Sequence, residues 1–229
     1  MRRDAVGGAR PARTLRTVRR HPSAVLLGLQ LLAVLAYPFL DGNVAGRSVL
    51  GFVQVLVVLA AVWAVRRTPT LSWVALLLGG PAAVFSVLEA VTDDAGWAVL
   101  LSAVFHVPFY LFVSYAMVRY LFHDDVVTRD ELFATGAAFT VVAWAFAYVY
   151  AAAQVVWPGC FVAYQGEGQR AWFELLYLSF TTLTSVGLSD VYPVQDNARS
   201  LVMLEQVAGV FYVALVVARL VGLTGRARG

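Results

Sequence analysis

The chain has 229 residues, of which 60% are apolar or aromatic and 14% charged, with mean hydropathy +0.74. Soluble domains run about 45–50% apolar and about 25% charged, which excludes a soluble enzyme, a nucleic-acid-binding domain or a disordered tail as a reading of the whole. The formal charge of +3 does not point to nucleic acid, because all seventeen basic residues are Arg and seven of them (Arg2, Arg3, Arg10, Arg13, Arg16, Arg19, Arg20) precede the first apolar run.

Such a flank is expected to anchor on anionic lipid headgroups at the cytoplasmic face. The run after Arg20 is too long for a signal peptide, and more runs follow it. Apolar stretches of this length read as membrane helices, since a bilayer core needs roughly 20 residues of helix, whereas barrel strands need about ten of alternating polarity.

Six spans are predicted. The first covers residues 24–40, to Tyr37-Pro38 and the turn Asp41-Gly42-Asn43. The second, 47–65, stops at Arg66-Arg67-Thr68-Pro69, where Pro blocks continuation. The third is 71–91, ending at Asp93-Asp94, with Glu89 near the outer interface. The fourth, 96–122, carries His106 and Pro108 as interruptions and ends at His123-Asp124-Asp125. His106 is expected to be a satisfied core histidine, with pH sensing as the alternative. Arg119 is the one basic residue of this span. Voltage-sensing helices need several, so a voltage sensor is not expected.

The short linker of His123-Asp124-Asp125 and Arg129-Asp130-Glu131 reads as a solvated charged turn, with coupling to a gate as the other possibility. The fifth span is 132–156, where Trp144 and Tyr148 are expected to pack the helix, and the last is 198–223. The N-terminal Arg cluster, Arg66, Arg67, Arg119, Arg129, Arg226 and Arg228 fall on one side and only Arg47, Arg170 and Arg199 on the other. An even number of spans with both termini cytoplasmic follows. No internal repeat supports an inverted-repeat transporter.

Between the fifth and sixth spans lie residues of another kind. The hydrophilic turn 165–170 is followed by Ala171 to Thr184, apolar and helix-compatible yet too short to cross, which predicts a re-entrant segment. Then comes Ser185-Val186-Gly187-Leu188-Ser189-Asp190 and Val191-Tyr192-Pro193. Irregular backbone at membrane depth survives only inside protein or along a water-filled cavity, so its carbonyls need ions or water as partners.

Residues 172–223 resemble the pore module of the tetrameric potassium-channel superfamily. Thr181-Thr182-Leu183-Thr184 with residues 185–190 is similar to the Thr-Val-Gly-Tyr-Gly-Asp filter, Val191-Tyr192-Pro193 to its exit, and Ala198–Glu205 with Ala218–Gly222 to the family's inner helix. The whole chain resembles small bacterial six-span channels without a cytoplasmic ligand-binding domain, and no nucleotide- or calcium-binding segment is expected after the last span.

The resemblance implies an all-α membrane protein, with six transmembrane helices, a re-entrant pore helix and a filter loop, assembled as a homotetrameric pore in the cell membrane. It implies a basic segment (1–23), a four-helix peripheral domain (24–122), a linker (123–131), a pore domain (132–224) and a tail (225–229). The filter would be Thr184, Ser185, Val186, Gly187, Leu188, Ser189 and Asp190. A monovalent cation, potassium or else sodium, would sit on the carbonyls of Ser185, Val186, Gly187 and Leu188.

Support would come from Glu174 at the positive end of the pore helix, from Thr181 and Thr182, and from Glu205 bonding behind the filter to groups such as those threonines. Gly209 would be a hinge or a close helix contact, with Val213 and Val217 as a hydrophobic constriction or as lipid-facing residues. Cys160, the single cysteine, could crosslink subunits but cannot form an intrachain disulfide.

Three positions depart from the signature. Ser185 stands for Thr, Leu188 for the aromatic residue, and Ser189 for the second Gly, where a positive φ would cost Ser roughly 1–2 kcal/mol. A nonselective monovalent cation channel, or a non-conducting sensor or scaffold that keeps the fold, are therefore alternatives. No nucleophile–base pair or metal-ligand cluster is evident, so neither an enzyme nor a resident cofactor is expected.

Overall fold

The computed structural model describes residues 21–40, 44–65, 72–91, 96–122, 128–164, 166 and 168–226. The Arg-rich flank, the turns 41–43, 66–71 and 92–95, His123-Asp124-Asp125 and the last residues of the tail lie outside it, as do the side chains of Glu89 and Arg129.

Seven helices and two short strands are described. They are α1 (Pro22–Leu40), α2 (Val44–Val65), α3 (Ser72–Val91), α4 (Gly96–Leu121), α5 (Arg129–Val156), β1 (Phe161–Ala163), α6 (Trp172–Leu183), β2 (Val191–Pro193) and α7 (Asp196–Arg226). Helices stand where all six spans were predicted. Four of the described helices, α1, α4, α5 and α7, are long and apolar enough to cross a membrane; the qualifying apolar stretches of α2 and α3, Val49–Val65 and Trp73–Leu88, are shorter.

Pro38, Pro81 and Pro108 lie inside helices, so Pro108 does not interrupt the fourth span. Among packed helices the carbonyl freed by a proline finds other partners, which makes proline tolerable there.

Helices α1 to α4 pack in chain order, and α4 lies along α5 in the most extensive contact of the molecule. α1 returns to pack on α5 as well. One core cluster therefore runs from Leu26, Val57, Ala61, Phe109 and Val113 through Ala137, Val141 and Trp144 to Leu176 of α6. Peripheral helices and the following segment share this core.

His106 is fully buried within it, with Ser86 Oγ 3.0 Å from Nε2 and Ser102 Oγ 3.0 Å from Nδ1. Tyr148 stacks on its ring at 4.3 Å, and Gln54 Nε2 donates to the hydroxyls of both Tyr110 and Tyr148. His106 is thus a core histidine with both nitrogens partnered.

At Asp130 and Glu131 the foot of α5 corrects the solvated-turn reading. Thr128 and Glu131 form a capping box, Glu131 N donating to Thr128 Oγ1 and Thr128 N to Glu131 Oε2. Asp130 and Glu131 are buried, and Ser23 donates to Asp130 through both N and Oγ. The charges cap one helix and hold the start of another, which is why they leave solvent.

Candidate pore segment

α6 is twelve residues long and starts without a side-chain cap from Ala171; instead Glu174 Oε2 accepts from Ala171 N at 2.8 Å. That carboxylate satisfies one of the free amides at the helix's positive end. The helix is amphipathic. Leu175, Leu176, Leu178, Ser179, Thr181, Thr182 and Leu183 are buried, while Tyr177 is exposed.

At the other end the chain folds back on the helix. Thr184 N and Oγ1 both donate to Phe180 O, Ser185 N donates to Thr182 O, and Val186 N and Gly187 N both donate to Thr181 O. The amides of residues 184–187 are therefore spent on the end of α6. The carbonyls of Ser185, Val186, Gly187, Leu188 and Ser189 accept no hydrogen bond among the described residues. Ser185 and Gly187 hold the left-handed region, at φ 59 and φ 71.

Ser189 is not in that region, so the condition under which its Cβ would be costly is not met. Its Oγ instead accepts from Val191 N at 3.1 Å, turning the chain into β2. The residue with a Cβ at positive φ is Ser185. Thr184 through Leu188 are exposed on the single chain, Val186 and Leu188 by more than half. An open crevice of about 650 Å³ lies beside them, lined by Phe173, Glu174, Tyr177 and residues 187–190.

The far end of this loop is tied down by a ribbon that sequence reading missed. β1 and β2 pair antiparallel, with Phe161 opposite Pro193 and Ala163 opposite Val191, and Tyr164 N donates to Asp190 O. Cys160 lies fully buried beneath it among Tyr150, Leu175, Leu178 and Ala198, so the crosslinking reading is corrected. Burial pushes its thiol pKa above the ordinary cysteine value.

Arg170 is also buried. It closes the preceding turn through Gly166 O and Gly168 O, while its backbone exchanges two hydrogen bonds with the Gln154 side chain.

α7 packs alongside α6 with a fixed register. Glu205, fully buried, meets Ser179 Oγ through Oε1 and accepts at Oε2 from Tyr150 OH of α5, and it has no bond to Thr181 or Thr182. Thr181 Oγ1 bonds within its own helix to Leu178 O, and Thr182 serves through its carbonyl. Four residues on, a Cβ built at Gly209 would meet Leu183 O at 2.0 Å. Only glycine lets the inner helix come this close to the end of α6, so the close-contact reading is the one the geometry fits.

Val213 and Val217 are each about half exposed on the single chain. Two further contacts had no clear sequence signal. Tyr212 OH donates to Thr135 O at 2.5 Å, and Arg219 Nε donates to Leu121 O at the end of α4, with its guanidinium over the Phe122 ring.

Residues 136–224 match a family model described as "Ion channel". That stretch takes in most of α5, the ribbon, α6, the bare loop and most of α7, and the match supports an ion channel carried on membrane-type helices. Searches of curated proteins and of solved structures gave no match.

Proposed function

We propose that the chain is the subunit of a homotetrameric, passive cation channel of the cell membrane, with both termini cytoplasmic and with residues 184–190 as its filter. The observation that carries the reading is the run of unpartnered carbonyls at Ser185, Val186, Gly187 and Leu188, set at the end of a half-membrane helix within the matched segment. Bare carbonyls in an apolar setting are costly unless something positive meets them. Four copies around an axis would replace the hydration shell of a monovalent cation. The α6 helix directs its negative end towards the entry to that loop, which favours a cation beneath it.

Potassium is the leading permeant ion. Nonselective permeation is the second reading, and particular geometry favours it. Ser189 has left the positive-φ conformation that a glycine would permit, and Leu188 offers no hydroxyl to hold the loop's diameter.

The test is flux from the purified protein in liposomes under separate potassium and sodium gradients. The wild-type chain passes potassium with weak discrimination. The double variant Leu188→Tyr, Ser189→Gly raises the potassium-to-sodium ratio by about tenfold, the equivalent of one restored hydrogen bond per pore at about 1.4 kcal/mol. Flux that the double variant leaves unchanged contradicts the filter assignment.

A further inference from the structure

Glu205 is the one carboxyl group within the apolar stretch of α7, and its side chain is fully buried. Among the described residues no basic side chain is paired with it; the ion pairs there are Arg199 with Asp196 and His21 with Asp130. Of the titratable groups on the elements packed around it, Tyr150 of α5 meets it through its hydroxyl, Cys160 lies in the neighbouring cluster and Tyr212 two turns further along α7, while Tyr148 stacks on His106, Tyr177 of α6 is exposed, and Asp130 and Glu131 are engaged at the foot of α5. Arg170, Asp196 and Arg199 belong to the outer end, and Glu174 is engaged at the start of α6.

The proton count around Ser179 decides what state the acid is in. Ser179 Oγ lies 2.8 Å from Ala143 O of α5, and it also touches Glu205 Oε1. A serine hydroxyl has one proton, and a carbonyl oxygen can only accept. If that proton goes to Ala143 O, the contact with Oε1 needs a proton from the acid. If Glu205 were ionised, Ser179 would have to donate to Oε1, and the contact with Ala143 O would face two acceptors without a proton between them. An isolated carboxylate in an apolar interior also takes up a proton in preference to remaining charged.

We propose that Glu205 is held as the neutral acid, donating from Oε1 to Ser179 Oγ, so that a chain Glu205–Ser179–Ala143 and the bond from Tyr150 OH to Oε2 brace α5, α6 and α7 behind the loop at 185–190. On ionisation the proton leaves to water, Ser179 turns its hydroxyl to Oε1, and Ala143 O is released. Gly209 lies four residues along the same face against Leu183 O, so loosening at Glu205 reaches the residue before Thr184. The brace is complete at low pH and is lost as pH rises through the value at which Glu205 ionises.

The first test is the infrared spectrum of the full chain in bilayers at neutral pH. The C=O stretch of a protonated carboxylic acid is expected in the wild type, absent from Glu205→Gln and shifted in Tyr150→Phe, which keeps the acid but removes one donor. A spectrum without that band, or a band that Glu205→Gln leaves intact, overturns the proposal. The second test rests on the channel reading and follows flux against pH. Wild-type flux falls about tenfold as the acid ionises, the scale of one lost hydrogen bond. Flux through Glu205→Gln, whose amide can donate to Ser179 and accept from Tyr150, no longer depends on pH. The same decline in both proteins overturns the link to conduction, whereas no flux at any pH contradicts the channel reading and leaves the infrared band as the judge of the proton.

Discussion

Gly209 and Cys160 illustrate how differently two single residues can be read before and after folding. A glycine inside a long apolar helix signals either freedom to bend or closeness of approach, and the sequence alone carries no preference. The approach of α7 to Leu183 O resolves it, because an added Cβ would stand 2.0 Å from a backbone oxygen that cannot move independently of its helix. Gly209→Ala is therefore expected to cost about 1–3 kcal/mol per subunit by overpacking, read as a lowered thermal midpoint of the protein in detergent. An unchanged midpoint would mean that the two helices are not in contact there.

For Cys160 the sequence offered crosslinking between subunits as one possibility. The ribbon buries it, and its raised pKa leaves little thiolate at neutral pH. Maleimide labelling of the native protein at neutral pH should be at least about tenfold slower than after denaturation, in line with a buried thiol. Equal rates would contradict the buried position. At Ser189 the sequence attached a cost only if a positive φ were needed there, and that condition is not met. The turn is governed by which amides α6 can accept, and that puts the positive φ at Ser185.

At the scale of elements, helices were the legible part, since each has an apolar run bounded by charges, Pro or Gly. The short helix α6 was legible for the same reason, with its length as the extra clue. β1 and β2 were not, because three-residue strands have no period of their own and exist only through pairing across the intervening helix and loop. The docking of α1 was equally invisible, as it depends on Ser23 meeting Asp130 from a distant part of the chain.

That contact makes the charged residues at the foot of α5 structural. Asp130→Ala leaves the Ser23 amide and hydroxyl without their acceptor, at a cost of about 1–3 kcal/mol. Hydrogen exchange should show faster exchange confined to the first turns of α1. Exchange unchanged in that segment would mean that Asp130 does not hold it. Arg219 ties α7 to the end of α4 through Leu121 O in the same manner, although neither sequence position carries a motif.

For the molecule as a whole, two uncovered surfaces lie side by side. α7 presents Met203, Leu204, Val207, Val210, Phe211 and Leu215 largely uncovered, beside a loop whose carbonyls are also uncovered. Lipid can meet the first group and cannot meet the second, because hydrocarbon offers no donor or cation to a carbonyl. In the proposed channel, assembly around an axis would satisfy both. The signature residues made that segment visible in the sequence. The proposed number of copies, permeant ion and proton on Glu205 would depend on packing between helices or between chains, which composition does not encode one residue at a time.

The most direct measurement is the structure of the protein in lipid nanodiscs in potassium solution. Four subunits about one axis are expected, with the carbonyls of Ser185, Val186, Gly187 and Leu188 converging on it and ion density between them. A monomer or dimer, or residues 185–190 lying in bulk water at the membrane face with no central conduit, would contradict it.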